Sequence, residues 1–272
     1  MSIPPLPQFW AADELKGGCK FCAALGIVPV HIEKIPQLLN AGIENGTLTF
    51  IKHDGLHYGL TCWHVIEALH NRNTKYGVGR FLCATLKDGT HGIADSFRRP
   101  SAPFGSNKQP DIAVVRLPED FPARLGKGYF SLQPETCHRP NPLQYAMAFG
   151  FPTEEKENMH EGAGYRVAMP CAQAVAEGVG GDTQFLSTLN DEPKIGHLSG
   201  MSGGPVFWST ADHFGLLGII YEGNRTGAGD DFIQSPRIHF FIDRCDYDEF
   251  SRWVAELDLK NTPATMITPV RV

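Results

Sequence analysis

Leu198-Ser199-Gly200-Met201-Ser202-Gly203-Gly204-Pro205-Val206-Phe207 is the stretch on which the reading of this chain turns. It is a tight, glycine-rich turn with a serine at its centre, and the strand-like run Pro205-Val206-Phe207-Trp208 follows at once. Glycine tolerates positive φ and the close approach of another chain. Three glycines around one serine therefore predict a backbone bent to hold the hydroxyl outward and to aim amides at a ligand. A serine hydroxyl is a poor nucleophile alone; it needs a general base and a third group that orients the base. The chain offers both in comparable settings, at His64 and Asp111.

Working outward, the second half carries strand texture at 144–151, 165–176, 183–189, 205–208, 215–221 and 238–242. Residues 246–257 place Phe250, Trp253, Val254 and Leu257 at helical spacing, which predicts an amphipathic C-terminal helix. The last dozen residues read as a tail. In the first half, 47–52 and 56–62 read as strands around the hairpin signal His53-Asp54-Gly55. A short helical turn is expected at 63–69, so His64 sits where a strand ends. Further strands are expected at 80–86 and 92–97, and residues 98–110 read as a surface loop. Asp111 opens the apolar strand 111–117. Residues 118–142, with Pro118, Pro122, Pro134, Pro140 and Pro142, read as the crossover between two halves. Residues 1–45 read as an N-terminal extension, proline-rich at its start, with a weak helical signal at 33–39.

Composition excludes several classes. The chain has 272 residues, 42% hydrophobic and 20% charged, as in an ordinary globular protein. A net charge of −6 argues against a nucleic-acid footprint. No apolar run reaches the length of a membrane span, and the N-terminus lacks the basic-then-apolar order of a signal peptide. The expectation is thus a cytoplasmic protein with neither nucleic acid nor membrane as partner. Seven cysteines without an export signal predict reduced thiols. Cys19 and Cys22 form a lone CxxC, read as structural rather than as a zinc or redox motif.

The order His64, Asp111, Ser202 resembles that of the trypsin/chymotrypsin-like serine peptidases, specifically the bacterial group lacking disulfides. The motifs that carry the resemblance are Thr61-Cys62-Trp63-His64-Val65, Asp111-Ile112-Ala113-Val114-Val115 and Gly200-Met201-Ser202-Gly203-Gly204-Pro205. It covers roughly residues 45–245. It implies an all-β fold of two six-stranded antiparallel β-barrels, 46–130 and 131–245, with the C-terminal helix and tail at 246–272. It implies peptide-bond hydrolysis through an acyl-enzyme on Ser202, with His64 as base and Asp111 as its orienting carboxylate. The amides of Gly200 and Ser202 would form the oxyanion hole. The resemblance also places Gly196 and His197 at the specificity pocket, and Tyr221, Glu222 and Gly223 along an extended peptide. No cofactor or metal is implied. The partners implied are a protein or peptide substrate and, by analogy, one dedicated protein partner. Met201 stands where digestive members place an aspartate, so their activation switch is not expected.

Each residue alone has a blander reading. A lone histidine at a strand end is more often structural, Asp111 could cap a turn, and Ser202 could merely line one. No lysine follows the glycines as a phosphate-binding loop would require. The His53/His57 spacing suits a metal only on a helix, and Asp54-Gly55 breaks any helix there. Asp88 and Asp95 are the next carboxylates in line should Asp111 not be the partner. The alternative to an enzyme is a catalytically silent fold of the same kind that binds or regulates a protein.

Overall fold

The computed structural model describes residues 17–29, 45–76, 80–86, 89–103, 106–134, 145–152, 157–161, 164–168, 171–178, 184–188, 200–209, 214–225 and 237–270. Most of these lie in β-strands, with few helices. The first half holds β1 (Cys22–Pro29), β2 (Asn45–His53), β3 (Leu56–Thr61), β4 (Arg80–Leu86), β5 (Gly89–Ile93), β6 (Ala113–Arg116) and β7 (Phe130–Ser131). The second holds β8 (Tyr145–Gly150), β9 (Glu157–Glu161), β10 (Gly164–Ala168), β11 (Ala172–Gly178), β12 (Gln184–Thr188), β13 (Pro205–Ser209), β14 (Phe214–Arg225) and β15 (Arg237–Arg244), and β16 (Ile267–Val270) comes last. The helices are α1 (Trp63–Tyr76), the single turn α2 (Phe121–Arg124) and α3 (Tyr247–Glu256).

Three sheets organise these strands, the smallest being the β9–β10 pair. In the first the order is β16-β5-β4-β1-β2-β3-β6, with β7 parallel to β2. In the second, β11-β12-β15-β14-β13-β8 closes on itself as a six-stranded ring. The hairpin expected at His53-Asp54-Gly55 joins β2 to β3, with positive φ at Asp54 (49°) and Gly55 (75°), as a tight two-residue turn demands.

Several expectations are corrected. The first half is not a six-stranded barrel among the described residues; it is an eight-stranded sheet whose path ends at β16 and β6. Its centre includes β1, from the segment read as an extension, and its far edge is β16, from the segment read as a tail. In both, strand identity depends on partners remote in the chain. The stretch read as one strand at 165–176 is split between β10 and β11. The helix after β3 runs to Tyr76 because neither Gly nor Pro interrupts residues 63–76. The reduced-thiol reading fails at one pair: Cys19 is disulfide-bonded to Cys171, tying the first half to the start of β11. Cys22, Cys62 and Cys245 are buried. The helical signal at 33–39 lies outside the described residues.

Strand alternation divides the core in two. Ala146 and Ala148, Val206 and Trp208, and Phe240 and Ile242 form a cluster confined to the ring and its serine turn. Their neighbours Met147, Phe149 and Phe207 point the other way and join the cluster shared with the first sheet. Phe21 and Phe130 of the first half meet Phe207 and Phe214 of the ring there, with centroids 5.1–6.5 Å apart. Each such side chain, fully buried, contributes roughly 1.5–3 kcal/mol, so the two halves are held as one body. The expected C-terminal helix is α3: Asp246 caps it by accepting from the Glu249 amide at 3.0 Å, and Phe250, Trp253 and Val254 are buried. Among the described residues no helix is long and apolar enough to cross a membrane.

Candidate active site

β3 and β6 are antiparallel neighbours, with Thr61 opposite Ala113. The chain leaves β3 through Cys62 into α1, so His64 is the second residue of that helix. Asp111 lies two residues before β6. The pairing therefore brings the end of one strand beside the beginning of the other. The contacts follow: the Trp63 amide donates to the Asp111 carbonyl at 3.1 Å and the His64 amide to Asp111 Oδ1 at 2.9 Å. His64 Nδ1 meets Asp111 Oδ2 at 2.5 Å. A carboxylate oxygen accepts, so Nδ1 carries the proton and Nε2 is left as the basic nitrogen. The His64 side chain is 47% exposed and that of Asp111 24%, which leaves the ring open to an incoming group.

The serine turn is held differently, by its backbone. Gly200 and Gly203 both have φ of 91°, so both require glycine. The Thr47 amide donates to the Ser202 carbonyl at 2.7 Å, Thr47 Oγ1 to the Gly200 carbonyl at 3.0 Å, and Thr49 Oγ1 to the Gly203 carbonyl at 2.7 Å. Thus the two threonines alternating on β2 strap the turn of one half to a strand of the other. A Cβ on Gly203 would collide with the Thr47 carbonyl and Thr61, and one on Gly204 with the Phe149 carbonyl. Gly46 is pressed between Val65, next to His64, and the Ser202 carbonyl.

A shared acceptor links the two parts. The Ile220 carbonyl on β14 accepts the Gly203 amide at 2.8 Å and the Cys62 thiol at 3.0 Å. Cys62 precedes the helix of His64, and Gly203 follows Ser202, so one carbonyl ties both segments. Among the described residues the Gly200 and Ser202 amides donate to no other backbone group.

The other expected residues separate. Gly196 and His197 lie outside the described residues, as does Asp88. Asp95 is engaged with His70 at 2.7 Å, away from His64. Tyr221 falls at a bulge where the β14–β15 register shifts between Ile220 and Glu222, which turns its side chain out of the ladder. Its hydroxyl accepts from Lys108 Nζ at 3.4 Å, which also lies 4.8 Å from the ring centroid. That bond holds the Lys108 ammonium above its usual range, with Asp243 and Glu222 adding to it. Glu222 is exposed, and Gly223 pairs with Phe240 on β15.

Two neighbours were missed in the sequence. Asp243 of β15 accepts the Asp111 amide on Oδ2 at 2.6 Å, and burial pushes its carboxyl up. Cys62 is fully buried, which pushes its thiol well above the usual range. Neither has a sequence signal, because each acts through a partner far along the chain. Cys62, His64 and Asp111 offer ligand atoms within 4.8 Å of one another, a metal-like grouping. Zinc takes a thiolate, whereas the Cys62 thiol is engaged as a donor to the Ile220 carbonyl.

No protein-family model matches the chain, and no curated protein matches it. Among solved structures it is similar to a thermostable serine protease, AL20, from an extremophilic microorganism, at 14% identity, 88% of this chain, 97% of that one and a TM-score of 0.46. It is similar to protease Anisep from Arthrobacter nicotinovorans at 12% identity, covering 88% and 96%, with a TM-score of 0.45. It is also similar to a scabies mite inactivated protease paralogue at 10% identity, covering 88% and 95%, with a TM-score of 0.45.

Proposed function

We propose that this chain is a serine endopeptidase of trypsin-like design, its two halves meeting near residue 130. The observation that carries the reading is the 2.5 Å contact of His64 Nδ1 with Asp111, on a helix tied to the Ser202 turn through the Ile220 carbonyl. In this reading Ser202 Oγ attacks the scissile carbonyl and its proton passes to His64 Nε2. Asp111 keeps the Nδ1–H tautomer and stabilises the imidazolium. The Gly200 and Ser202 amides receive the oxyanion, a donor pair in which each member is worth about 3–4 kcal/mol in such sites. His64 then protonates the leaving amine, and a water activated by the same nitrogen releases the acyl group. The substrate is a protein or peptide running along Tyr221, Glu222 and Gly223, with Gly196 and His197 at its pocket.

A second reading starts from the fact that the presence of Ser202, His64 and Asp111 does not by itself make a working set. It makes the chain a silent binding module of the same architecture. Labelling with a fluorophosphonate, followed by mass spectrometry, separates the two. The endopeptidase reading expects modification at Ser202, lost in Ser202→Ala and in heat-denatured protein. No modification of the folded protein favours the module.

A further inference from the structure

Asp111 is fixed at four atoms. Its carbonyl accepts from Trp63, its Oδ1 from the His64 amide, and its Oδ2 faces His64 Nδ1. All three partners belong to α1. The fourth contact alone comes from the ring: the Asp111 amide donates to Asp243 Oδ2 at 2.6 Å. Asp243 stands opposite Ile219 on β14, one residue before the Ile220 carbonyl that holds the Gly203 amide. The ring thus grips the serine turn and the Asp111 backbone from adjoining positions.

A backbone N–H near the protein interior needs an acceptor, and a neutral one would serve. The acceptor is instead a partly buried carboxylate beside a second carboxylate. A charge-assisted bond is shorter and stronger than a neutral one. The groups facing Asp243 are Asp111, which opposes its charge, and Lys108 and Arg99, which favour it, with the Cys62 thiol nearby. The Lys108 and Arg99 charges keep a carboxylate tenable there.

We propose that Asp243 is a positioning residue, which by accepting the Asp111 amide sets the carboxylate that orients His64 relative to the Ser202 turn. The role deepens the endopeptidase reading and rests on it. Asp243 touches no reacting atom; it acts through Asp111.

The test compares native protein with Asp243→Leu, which keeps the branched outline but cannot accept, and Asp243→Asn, which retains an acceptor oxygen. The first readout is the rate of Ser202 labelling by a fluorophosphonate as a function of pH. Asp243→Leu should label about tenfold or more slowly. Its acid limb should move to lower pH, because His64 loses a well-set carboxylate. Asp243→Asn should restore the rate to within about threefold of native and return the limb. A Leu variant with native rate and profile overturns the proposal, as does an Asn variant no better than Leu. The second readout is the titration of the His64 ring by nitrogen NMR, which needs no turnover. If native protein does not label, the endopeptidase reading has failed. The His64 midpoint still decides this proposal: lowered in Asp243→Leu it stands, unchanged it falls. Should Asp243→Leu not fold, exchange of the Asp111 amide in native protein decides: slow exchange supports the bond and fast exchange overturns it.

Discussion

The two regions that meet at the site are built on opposite principles. The His64–Asp111 corner is held by side-chain contacts, is open to solvent, and uses no glycine. The Ser202 turn is held through its own backbone groups, is packed against β2, β3 and β8, and has glycines at 203 and 204, where neighbouring strands press closest. On the endopeptidase reading proposed above, the difference follows from what each part must present. A base must keep one ring nitrogen accessible in one tautomer, which a carboxylate achieves from the side. A nucleophile with its amides must have the backbone itself turned inward, and only buried, strained glycine positions allow that. The first region should therefore tolerate substitution structurally and fail chemically. The second should fail structurally first.

Replacement of Ser202 by Ala should have the largest effect on activity. Hydrolysis should fall by roughly a millionfold in kcat, as when a serine nucleophile is removed elsewhere. The melting temperature should stay near native, because the turn is fixed through main-chain atoms. Residual turnover at the native rate would remove Ser202 from the chemistry. Asp111→Asn comes next, with a loss of about ten-thousandfold in kcat through the wrong His64 tautomer. A normal rate would show that the His64–Asp111 contact is only structural. Both can be followed with a peptide library and by probe labelling.

Gly203→Ala should break the second region instead. It combines a φ of 91° with a Cβ driven into the Thr47 carbonyl and Thr61, all of them backbone or short side-chain groups. Strain of about 1–3 kcal/mol from the backbone alone, plus the clash, should show as a lower urea midpoint. If stability is unchanged while activity survives, the turn is softer than its packing implies.

A smaller, graded effect concerns acid. His53 and His57 are buried in the first sheet, His91 lies partly buried there, and burial lowers all three below the usual 6.5, with nearby cations adding to the shift. Folded values below the unfolded one mean that the unfolded chain binds more protons in acid. Their stabilisation is then complete above about pH 6.5 and is lost as pH falls through the lower folded values. The urea midpoint should drop between about pH 7.5 and about pH 5. Hydrogen exchange should accelerate in β2, β3 and β5 before the ring. Uniform loosening of both halves would contradict the assignment of this sensitivity to the first sheet.

Local signals were legible where the chemistry is local. Asp54-Gly55 announced its hairpin, the 250–254 pattern its helix, and residues 80–86 their strand with the same ends the structure shows. Glycine spacing around Ser202 announced a turn with positive φ, and Gly200 and Gly203 have it. The convergence of His64 with Asp111 was legible from residue order, the flanking strands and the family resemblance they carry. By contrast, β1 and β16 were read as extension and tail. Neither shows an alternation that marks a strand, and their strand character comes from pairing with β2, β4 and β5.

What the sequence by itself determined is therefore the predominance of strands, the amphipathic C-terminal helix, the glycine turn and the residue types of a serine–histidine–aspartate set. Only the tertiary structure decided that the first half is an eight-stranded sheet completed by the chain's last strand, that Cys19 pairs with Cys171, and that Asp243 holds the Asp111 amide. The reason is range. Propensity, turn chemistry and alternation act over a few neighbouring residues, whereas strand closure, a disulfide across 152 positions and a carboxylate 132 positions away depend on how distant segments pack.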